Sequence, residues 1–439
     1  MCARGRYPWR EAQLEPRPPA AGNDHVPGWR GCGPTPGIQP TLHRAGRSPD
    51  PARILLATSY LLEAKNRSGQ DARCIGYIPE RWDEKAGGAA AVDSFPMKNQ
   101  LVLVLFLLSM VTATGLAQAQ GRGSQAPAVP TPTDVKPTSI TCEECPYPYP
   151  TSYLPLTLYG QDVRIAFMDV APEGQANGHT VVLLHGNNFA GFYFGVIIDA
   201  LKKEGFRVIV PDQIGYGRSS KPLITYNFTD MARNTRAILQ NLRIDKAMIV
   251  GHSMGGMLAA RFATQFPDVT ERLVLFNPIG LSDGRFDRPF GSIDEAYKQN
   301  LASTYQTIRA SLMRYVAHNP AAWNNTFESF TRIRYGWTMG ADWPRLAMIQ
   351  TLLSNVQYLD PVVYDWSHIK APTFVYGGAD DFLAGTPANF QERMKYLAAT
   401  IPNGNAKLML LPGLGHVPFL EDAGKSVPPL VAYLKEGVK

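Results

Sequence analysis

Short apolar runs alternate with amphipathic stretches along the chain from Val163 to its end. The runs have the length and composition of buried strands, and the stretches between them carry apolar residues at helical spacing. Strands are predicted at 163–169, 180–184, 207–210, 247–250, 273–276, 373–376 and 407–411, and helices near 196–203, 231–242, 254–266, 391–399 and 427–436. Because strands that alternate with helices build a parallel sheet covered on both faces, the pattern predicts an α/β fold with a mostly parallel central sheet.

Residues 280–365 interrupt this alternation and predict a helical cap over the sheet. The segment carries aromatic side chains at helix-like spacing: Tyr297, Tyr305, Tyr315, Trp323, Phe327, Phe330, Tyr335, Trp337, Trp343 and Tyr358. Most of these rings are expected to form the core of the cap. Trp323, Trp337 and Trp343 are expected to line a substrate pocket, which would favour an apolar or aromatic substrate.

A Gly-x-Ser-x-Gly motif follows one of the predicted strands. The apolar run 247–250 leads into Gly251-His252-Ser253-Met254-Gly255-Gly256, and a helix-compatible stretch comes next. A strand, this motif and a helix place the serine on a tight turn at a helix N-terminus, where N–H groups and the helix dipole favour an oxyanion. Ser253 is therefore the candidate nucleophile.

A nucleophilic serine needs a histidine base and an acid that orients the histidine. His416 lies in a glycine loop directly after a predicted strand and is the candidate base, with His368 as the alternative. For the acid, Asp380 is favoured and Asp381 is the close alternative, because a slip of one residue reverses which side chain turns inward. The order serine, aspartate, histidine is the one that this architecture uses.

The oxyanion hole is expected at the end of an earlier buried strand, at His185-Gly186-Asn187-Asn188. The N–H groups of Asn187 and of Met254, the residue after the nucleophile, are the predicted donors. Asn188 is the alternative if the loop turns one residue later, and it is also expected to contact the substrate.

Five ordered segments make the chain from about Tyr153 to Lys439 resemble an α/β-hydrolase with a helical cap inserted after the sixth strand. They are LLHGNN at 183–188, PDQIGYGRSSKP at 211–222, VGHSMGG at 250–256, GGADD at 377–381 and LPGLGHVPFLE at 411–421. The chain is similar to cap-bearing carboxylesterases, cofactor-free haloperoxidases and carbon–carbon bond hydrolases. Epoxide hydrolases and haloalkane dehalogenases use an aspartate nucleophile, and Ser253 argues against both. The resemblance implies a hydrolase without choosing among the serine-using groups.

The segment 97–119 has the three parts of a secretory signal peptide. Lys98 supplies the positive charge, an apolar run covers 101–111, and Ala117-Gln118-Ala119 fits a cleavage site. A signal works at an N-terminus, so translation is expected to begin at Met97, with 1–96 a disordered product of an early start assignment. Export to the periplasm or medium follows. The alternative is a membrane anchor at 101–117, although this span is short for one.

Residues 120–152 are predicted to be a flexible linker followed by an extended segment, because proline, threonine and alanine dominate them. In an exported protein, Cys142 and Cys145 could form a small disulfide or remain free thiols. The prolines that follow argue against the helix that a redox motif would require. The predicted divisions are therefore 1–96, 97–119, 120–152, a core in two parts at 153–279 and 366–439, and the cap at 280–365.

Composition and motifs argue against nucleic acid, a dinucleotide cofactor or a metal ion as a ligand. The net charge is +6 over 439 residues, and without a basic patch this does not indicate nucleic acid. Gly215-x-Gly217 lacks the rest of a dinucleotide loop, and no metal-type cluster is apparent, so no cofactor or metal is expected.

The leading hypothesis is a serine hydrolase of carboxylic esters or similar small acyl compounds that works through an acyl-enzyme. Perhydrolysis, carbon–carbon cleavage with the same triad, and a non-catalytic binding role are the alternatives. A small molecule is the expected partner, and the oligomeric state stays open.

Overall fold

The computed structural model describes residues 60–65, 71–76 and 129–438, except for residues 288 and 290. The predicted signal peptide and most of residues 1–96 lie outside this range. Within 1–96, which the sequence predicts to be disordered, the structure pairs Tyr60–Lys65 and Asp71–Gly76 as antiparallel strands.

Eight strands form the central sheet. They are β1 (Thr151–Leu158), β2 (Gln161–Val170), β3 (Thr180–Leu184), β4 (Arg207–Asp212), β5 (Ala247–His252), β6 (Thr270–Phe276), β7 (Thr373–Gly378) and β8 (Ala406–Leu411). Their spatial order is β8-β7-β6-β5-β3-β4-β2-β1. The six strands β3 to β8 pair with one another in parallel, and β2 is antiparallel to both β1 and β4. The mostly parallel sheet is confirmed.

The first strand, β1, is missing from the predicted strands. Its eight residues include Pro155, which argues against the interior of a sheet because proline cannot donate a ladder hydrogen bond. The structure places β1 at the edge of the sheet, where proline is tolerated.

Helices cover both faces of the sheet. The core helices are α1 (Gly195–Lys203), α2 (Phe228–Asn241), α3 (Met254–Gln265), α9 (Pro387–Thr400), α10 (Pro418–Glu421) and α11 (Ala423–Lys435). Neighbouring residues of a strand point to opposite faces, so Val182 packs into the core under α2, α3 and α9, while Val181 packs into the core under α1 and α11. This layering holds the carboxyl ends of the parallel strands at one edge.

The cap helices lie between β6 and β7, which places the insertion after the sixth strand of the sheet. They are α4 (Gly284–Asp287), α5 (Ile293–Leu301), α6 (Tyr305–Met313), α7 (Asn325–Thr338) and α8 (Trp343–Leu359). Short 3-10 turns at Arg314–Val316 and Pro320–Ala322 join α6 to α7.

Residues 129–150, predicted to be the end of a flexible linker followed by an extended segment, pack on the cap and the core. The backbone N–H of Thr138 donates to Gly336 O at 3.1 Å, and Trp337 Nε1 donates to Ser139 O at 3.1 Å. Cys142 and Cys145 form a buried disulfide with their Cα atoms 5.2 Å apart. The linker prediction is wrong here because composition does not reveal the surface on which the segment packs.

Candidate active site

The Gly-x-Ser-x-Gly motif forms the turn between β5 and α3. Ser253 has φ 58° and ψ −123°, a conformation that non-glycine residues rarely adopt. A Cβ on Gly251 would overlap the carbonyl of Gly255, and one on Gly255 would overlap the carbonyl of Leu184. Only glycine at these two positions lets helix and strand approach closely enough to hold Ser253 at the start of α3. Its side chain lines a cavity of about 510 Å³ beneath the cap.

Ser253, His416 and Asp381 form one hydrogen-bonded row. His416 Nε2 lies 2.9 Å from Ser253 Oγ, and His416 Nδ1 lies 2.6 Å from Asp381 Oδ2. All three residues are at most 5% exposed. The carboxylate can only accept, so Nδ1 carries the proton and Nε2 is left to accept from the serine hydroxyl. The predicted contact between Ser253 and His416 is present. The alternative base, His368, ends the 3-10 turn Trp366–His368, which follows the cap in the chain.

The aspartate on His416 is Asp381, and the preference for Asp380 is wrong. Asp380 Oδ2 accepts a hydrogen bond from the backbone N–H of Gly413 at 2.7 Å, away from the histidine. The physical reason is the length of β7, which continues to Gly378, two residues past its predicted end. The turn therefore begins later, and the second aspartate points inward.

Several donors hold the Asp381 carboxylate in place. Oδ1 accepts from the backbone N–H of Leu383 at 2.8 Å, and Oδ2 accepts from Asn277 Nδ2 at 3.0 Å. Burial raises the pKa of Asp381, but the adjacent His416 and these donors outweigh burial, and the net pKa lies below the ordinary value. Asp381 is therefore ionised at neutral pH and fixes the orientation of the His416 ring.

A second histidine, His252, connects the loops of the site through hydrogen bonds. His252 Nε2 lies 2.8 Å from the His416 carbonyl oxygen, so this nitrogen donates, and Nδ1 accepts from Tyr193 OH at 2.8 Å. The same hydroxyl accepts from the backbone N–H of Gly186 at 2.9 Å. Burial and the neighbouring His416 lower the pKa of His252 to about 3, so it stays neutral. These bonds connect the nucleophile turn, the His416 loop and the Gly186 loop.

The predicted oxyanion loop lies directly against the serine. A Cβ on Gly186 would be 2.9 Å from Ser253 Cβ, and the next residue, Asn187, lines the same cavity as Ser253. Asn187 Oδ1 accepts from Tyr216 OH at 2.6 Å, which fixes its side chain. Met254 is the first residue of α3, so its N–H has no acceptor within the helix. The assignment of the Asn187 and Met254 N–H groups as oxyanion donors stays a prediction.

The three tryptophans predicted to line the Ser253 pocket lie elsewhere. Trp323 stacks on Phe327 within the cap, and buried Trp343 donates from Nε1 to Leu301 O at 3.1 Å. Trp337 lines a second cavity of about 230 Å³ that adjoins the first. The rings form the core of the cap, as large side chains must in a small helical module. The expectation that Trp323, Trp337 and Trp343 line the Ser253 cavity is wrong, and the aromatic side chains in its wall are Tyr315 and Phe390.

Polar side chains line much of the Ser253 cavity. They include Asn187, Asn188, Ser282, Ser311, Arg314, Gln357 and Arg393, with Ile279, Leu281, Leu383 and Phe390 on its apolar part. Asn188, predicted to contact the substrate, lies in this wall and donates from Nδ2 to Tyr315 OH.

Tyr315 is one of the cap aromatic residues, and the sequence did not single it out for the pocket. Its ring centroid lies 4.9 Å from that of His416, and its carbonyl accepts from the His416 N–H at 3.0 Å. The cap thus contacts the histidine loop directly. No motif marks this residue, since its position depends on how the cap folds back.

Within the described residues, no group of three or more histidine, cysteine or carboxylate side chains could hold a metal ion. None of the helices described there is both long and apolar enough to cross a membrane.

Comparisons with known proteins agree with this fold. Residues 179–423 match the family model described as the alpha/beta hydrolase fold. The crystal structure of a probable hydrolytic enzyme from Pseudomonas aeruginosa PAO1 is 34% identical, with a TM-score of 0.63 over 70% of this chain and 99% of that one.

Curated relatives match over shorter stretches. An uncharacterized protein of Mycobacterium bovis is 37% identical over 107 residues, which span 24% of this chain and about a third (31%) of the relative. A 2-hydroxy-6-oxononadienedioate/2-hydroxy-6-oxononatrienedioate hydrolase of Paraburkholderia phymatum is 29% identical over 245 residues, 51% of this chain and 76% of that protein.

Proposed function

This chain belongs to the α/β-hydrolase family, and on that premise we propose that it is a serine hydrolase of carboxylic esters or similar small acyl compounds. The observation that carries the proposal is the row of hydrogen bonds from Ser253 Oγ through His416 to Asp381, at 2.9 and 2.6 Å. The cavity above Ser253, about 510 Å³ in volume, suits a small-molecule substrate.

Acylation is the first half of the proposed reaction. Ser253 Oγ attacks the acyl carbon while its proton passes to His416 Nε2, and Asp381 stabilises the resulting imidazolium. The N–H groups of Met254 and Asn187 donate to the oxyanion, and one such donor typically contributes about 3 kcal/mol to lowering the barrier. His416 then protonates the leaving alcohol oxygen as the carbon–oxygen bond breaks, which leaves the acyl group on Ser253.

Deacylation reverses these roles. His416 Nε2 takes a proton from a water molecule as the water oxygen adds to the acyl carbon. The tetrahedral intermediate collapses, the proton passes from His416 to Ser253 Oγ, and the carboxylic acid leaves. The free enzyme is restored with its original protonation.

Carbon–carbon bond hydrolysis is a second candidate that uses the same three residues. Its support is the 29% identity with the Paraburkholderia hydrolase over 76% of that protein. Ethyl and p-nitrophenyl esters compared with a vinylogous 1,5-diketone as substrates would separate the two reactions. Halide oxidation with peroxide would identify perhydrolysis.

A fluorophosphonate probe tests the serine mechanism. We expect covalent labelling of the wild type and hydrolysis of p-nitrophenyl acetate, and loss of both in Ser253→Ala. Ser303→Ala, in a cap loop outside the cavity, is the matched control and should label normally. Labelling of folded Ser253→Ala at the wild-type rate would contradict the proposal.

A further inference from the structure

Arg334 lies on the inward stripe of the cap helix α7. Phe327, Phe330 and Thr331 on this stripe are buried, and Arg334 follows at helical spacing. Its Nη1 is buried without a hydrogen-bond partner, and among the described residues no carboxylate forms an ion pair with Arg334. Arg334 is half-buried, and an enclosed guanidinium nitrogen without a hydrogen bond or a counter-charge is costly, so this position calls for an explanation.

Arg334 lines the cavity of about 230 Å³ that adjoins the Ser253 cavity. Arg334 and Lys221 are the charged residues in its described wall, which contains no aspartate or glutamate. The two cavities share Asn187, Asn188 and Ser311. One elongated small molecule could therefore place a reacting group at Ser253 and an anionic group at Arg334.

Lys221 adds positive charge to this cavity but has few donors to offer. Its Nζ donates to the carbonyl oxygens of Gly217 at 2.6 Å and Ser219 at 2.7 Å. Burial lowers the pKa of Lys221 to about 7. Burial also lowers the pKa of the Arg334 guanidinium, the direction expected where no counter-ion is present. Arg334 is thus the group with N–H donors left for a ligand.

We propose that Arg334 binds a carboxylate at the end of the substrate remote from the scissile bond, so that the enzyme prefers esters that carry a free carboxylate. This inference rests on the proposed function and names its substrate class. A guanidinium fits a carboxylate because its N–H groups form a fork that matches the two oxygens. The polar wall shared by the two cavities agrees with such a substrate.

Two pairs of esters test the preference at pH 7.0. Monoethyl adipate and its primary amide place the carboxylate or its neutral isostere on the acyl side. The pair 6-acetoxyhexanoate and 6-acetoxyhexanamide place it on the alcohol side. For at least one pair we expect the wild type to favour the carboxylate by about 10- to 100-fold in kcat/KM, mostly through KM, as loss of a charge-assisted hydrogen bond predicts.

Variants assign this preference to Arg334. Arg334→Met should bring the ratio of kcat/KM for the carboxylate to that for the amide close to one, and Arg334→Lys should restore part of the preference. Arg233→Met, which removes an exposed arginine of α2, changes the net charge equally and should keep the preference. A wild type without discrimination in either pair, or an Arg334→Met variant that retains it, would overturn the proposal.

Thermal unfolding separates binding from a structural role. Arg334 Nη1 has no hydrogen-bond partner among the described residues, so Arg334→Met should keep or raise the wild-type Tm. A Tm lower by about 5 °C or more would show that the arginine supports the fold and would count against the proposal.

Calorimetry on Ser253→Ala tests carboxylate binding by Arg334 even if no ester is hydrolysed. Adipate should bind to Ser253→Ala, and not to the double variant Ser253→Ala, Arg334→Met. If inorganic phosphate binds with the same Arg334 dependence and adipate does not, the site serves a free anion and the substrate assignment fails. Absence of fluorophosphonate labelling would refute the proposed function alone.

Discussion

The exchange Asp381→Asn tests the assignment of the acid, and the adjacent Asp380 supplies a matched control. Asp381 Oδ1 accepts from Leu383 N–H, while Oδ2 faces two donors, Asn277 Nδ2 and His416 Nδ1. An asparagine whose oxygen stays on Leu383 N–H turns its NH₂ toward both of these donors. The conflict is relieved if His416 moves its proton to Nε2. In that tautomer His416 cannot accept the proton of Ser253.

The expected decrease in kcat is large because the exchange removes the ability of His416 to act as a base, and not only a stabilising charge. The same carboxylate-to-amide change in a serine protease triad lowers kcat about 10⁴-fold, or roughly 5.5 kcal/mol of activation free energy. Asp380→Asn replaces a carboxylate that accepts from Gly413 N–H at the surface, and activity should stay within about threefold of wild type. The assay is kcat for p-nitrophenyl acetate together with the rate of fluorophosphonate labelling.

Two results would refute this reasoning. One is an Asp381→Asn enzyme that is folded and retains more than about a tenth of wild-type kcat, since the tautomer argument requires a far larger loss. The other is an Asp380→Asn enzyme that loses activity to the same degree. Circular dichroism of both variants excludes unfolding as the cause.

Further predictions concern the turn and the buried histidine. Gly255→Ala should destabilise the fold by at least about 3 kcal/mol, because its Cβ would overlap the Leu184 carbonyl. The control is Gly291→Ala, which has open space around the new Cβ. Equal Tm values for the two variants would contradict the argument. The depressed pKa of His252, about 3, means that only the unfolded chain binds this proton between about pH 6.5 and 3. Its contribution to stability is therefore complete above pH 6.5 and falls by roughly 1.4 kcal/mol per unit as the pH drops. Urea unfolding at pH 5.5 and 7.5 should show this loss in the wild type and a smaller one in His252→Gln; identical pH dependence would show that another group titrates.

The sequence predicted those parts of the site that local geometry dictates. Ser253 was identifiable because Gly251 and Gly255 permit only one close packing of strand and helix. His416 was identifiable because its loop follows the last strand of the sheet. The choice between Asp380 and Asp381 depended on where β7 ends, and the glycines at 377 and 378 left that end ambiguous.

The cap could not be predicted at the same level. Its aromatic residues indicate a helical module, but helical spacing does not distinguish a ring in the cap core from a ring in the pocket wall. Two tryptophans illustrate this, since Trp343 is buried in the core of the cap and Trp337 lines a cavity. The packing of residues 129–150 was likewise invisible, because it depends on contacts with a cap whose fold was unknown.

Trapping the acyl-enzyme tests the central claim most directly. The wild type is mixed with p-nitrophenyl acetate, quenched in acid within milliseconds to seconds, and digested for mass spectrometry. We predict one acetyl group on the peptide that contains Ser253, formed before steady-state release of product and absent from Ser253→Ala. Ester hydrolysis by the wild type with no acetyl group on that peptide, or with acetylation at another residue on the catalytic timescale, would contradict the account.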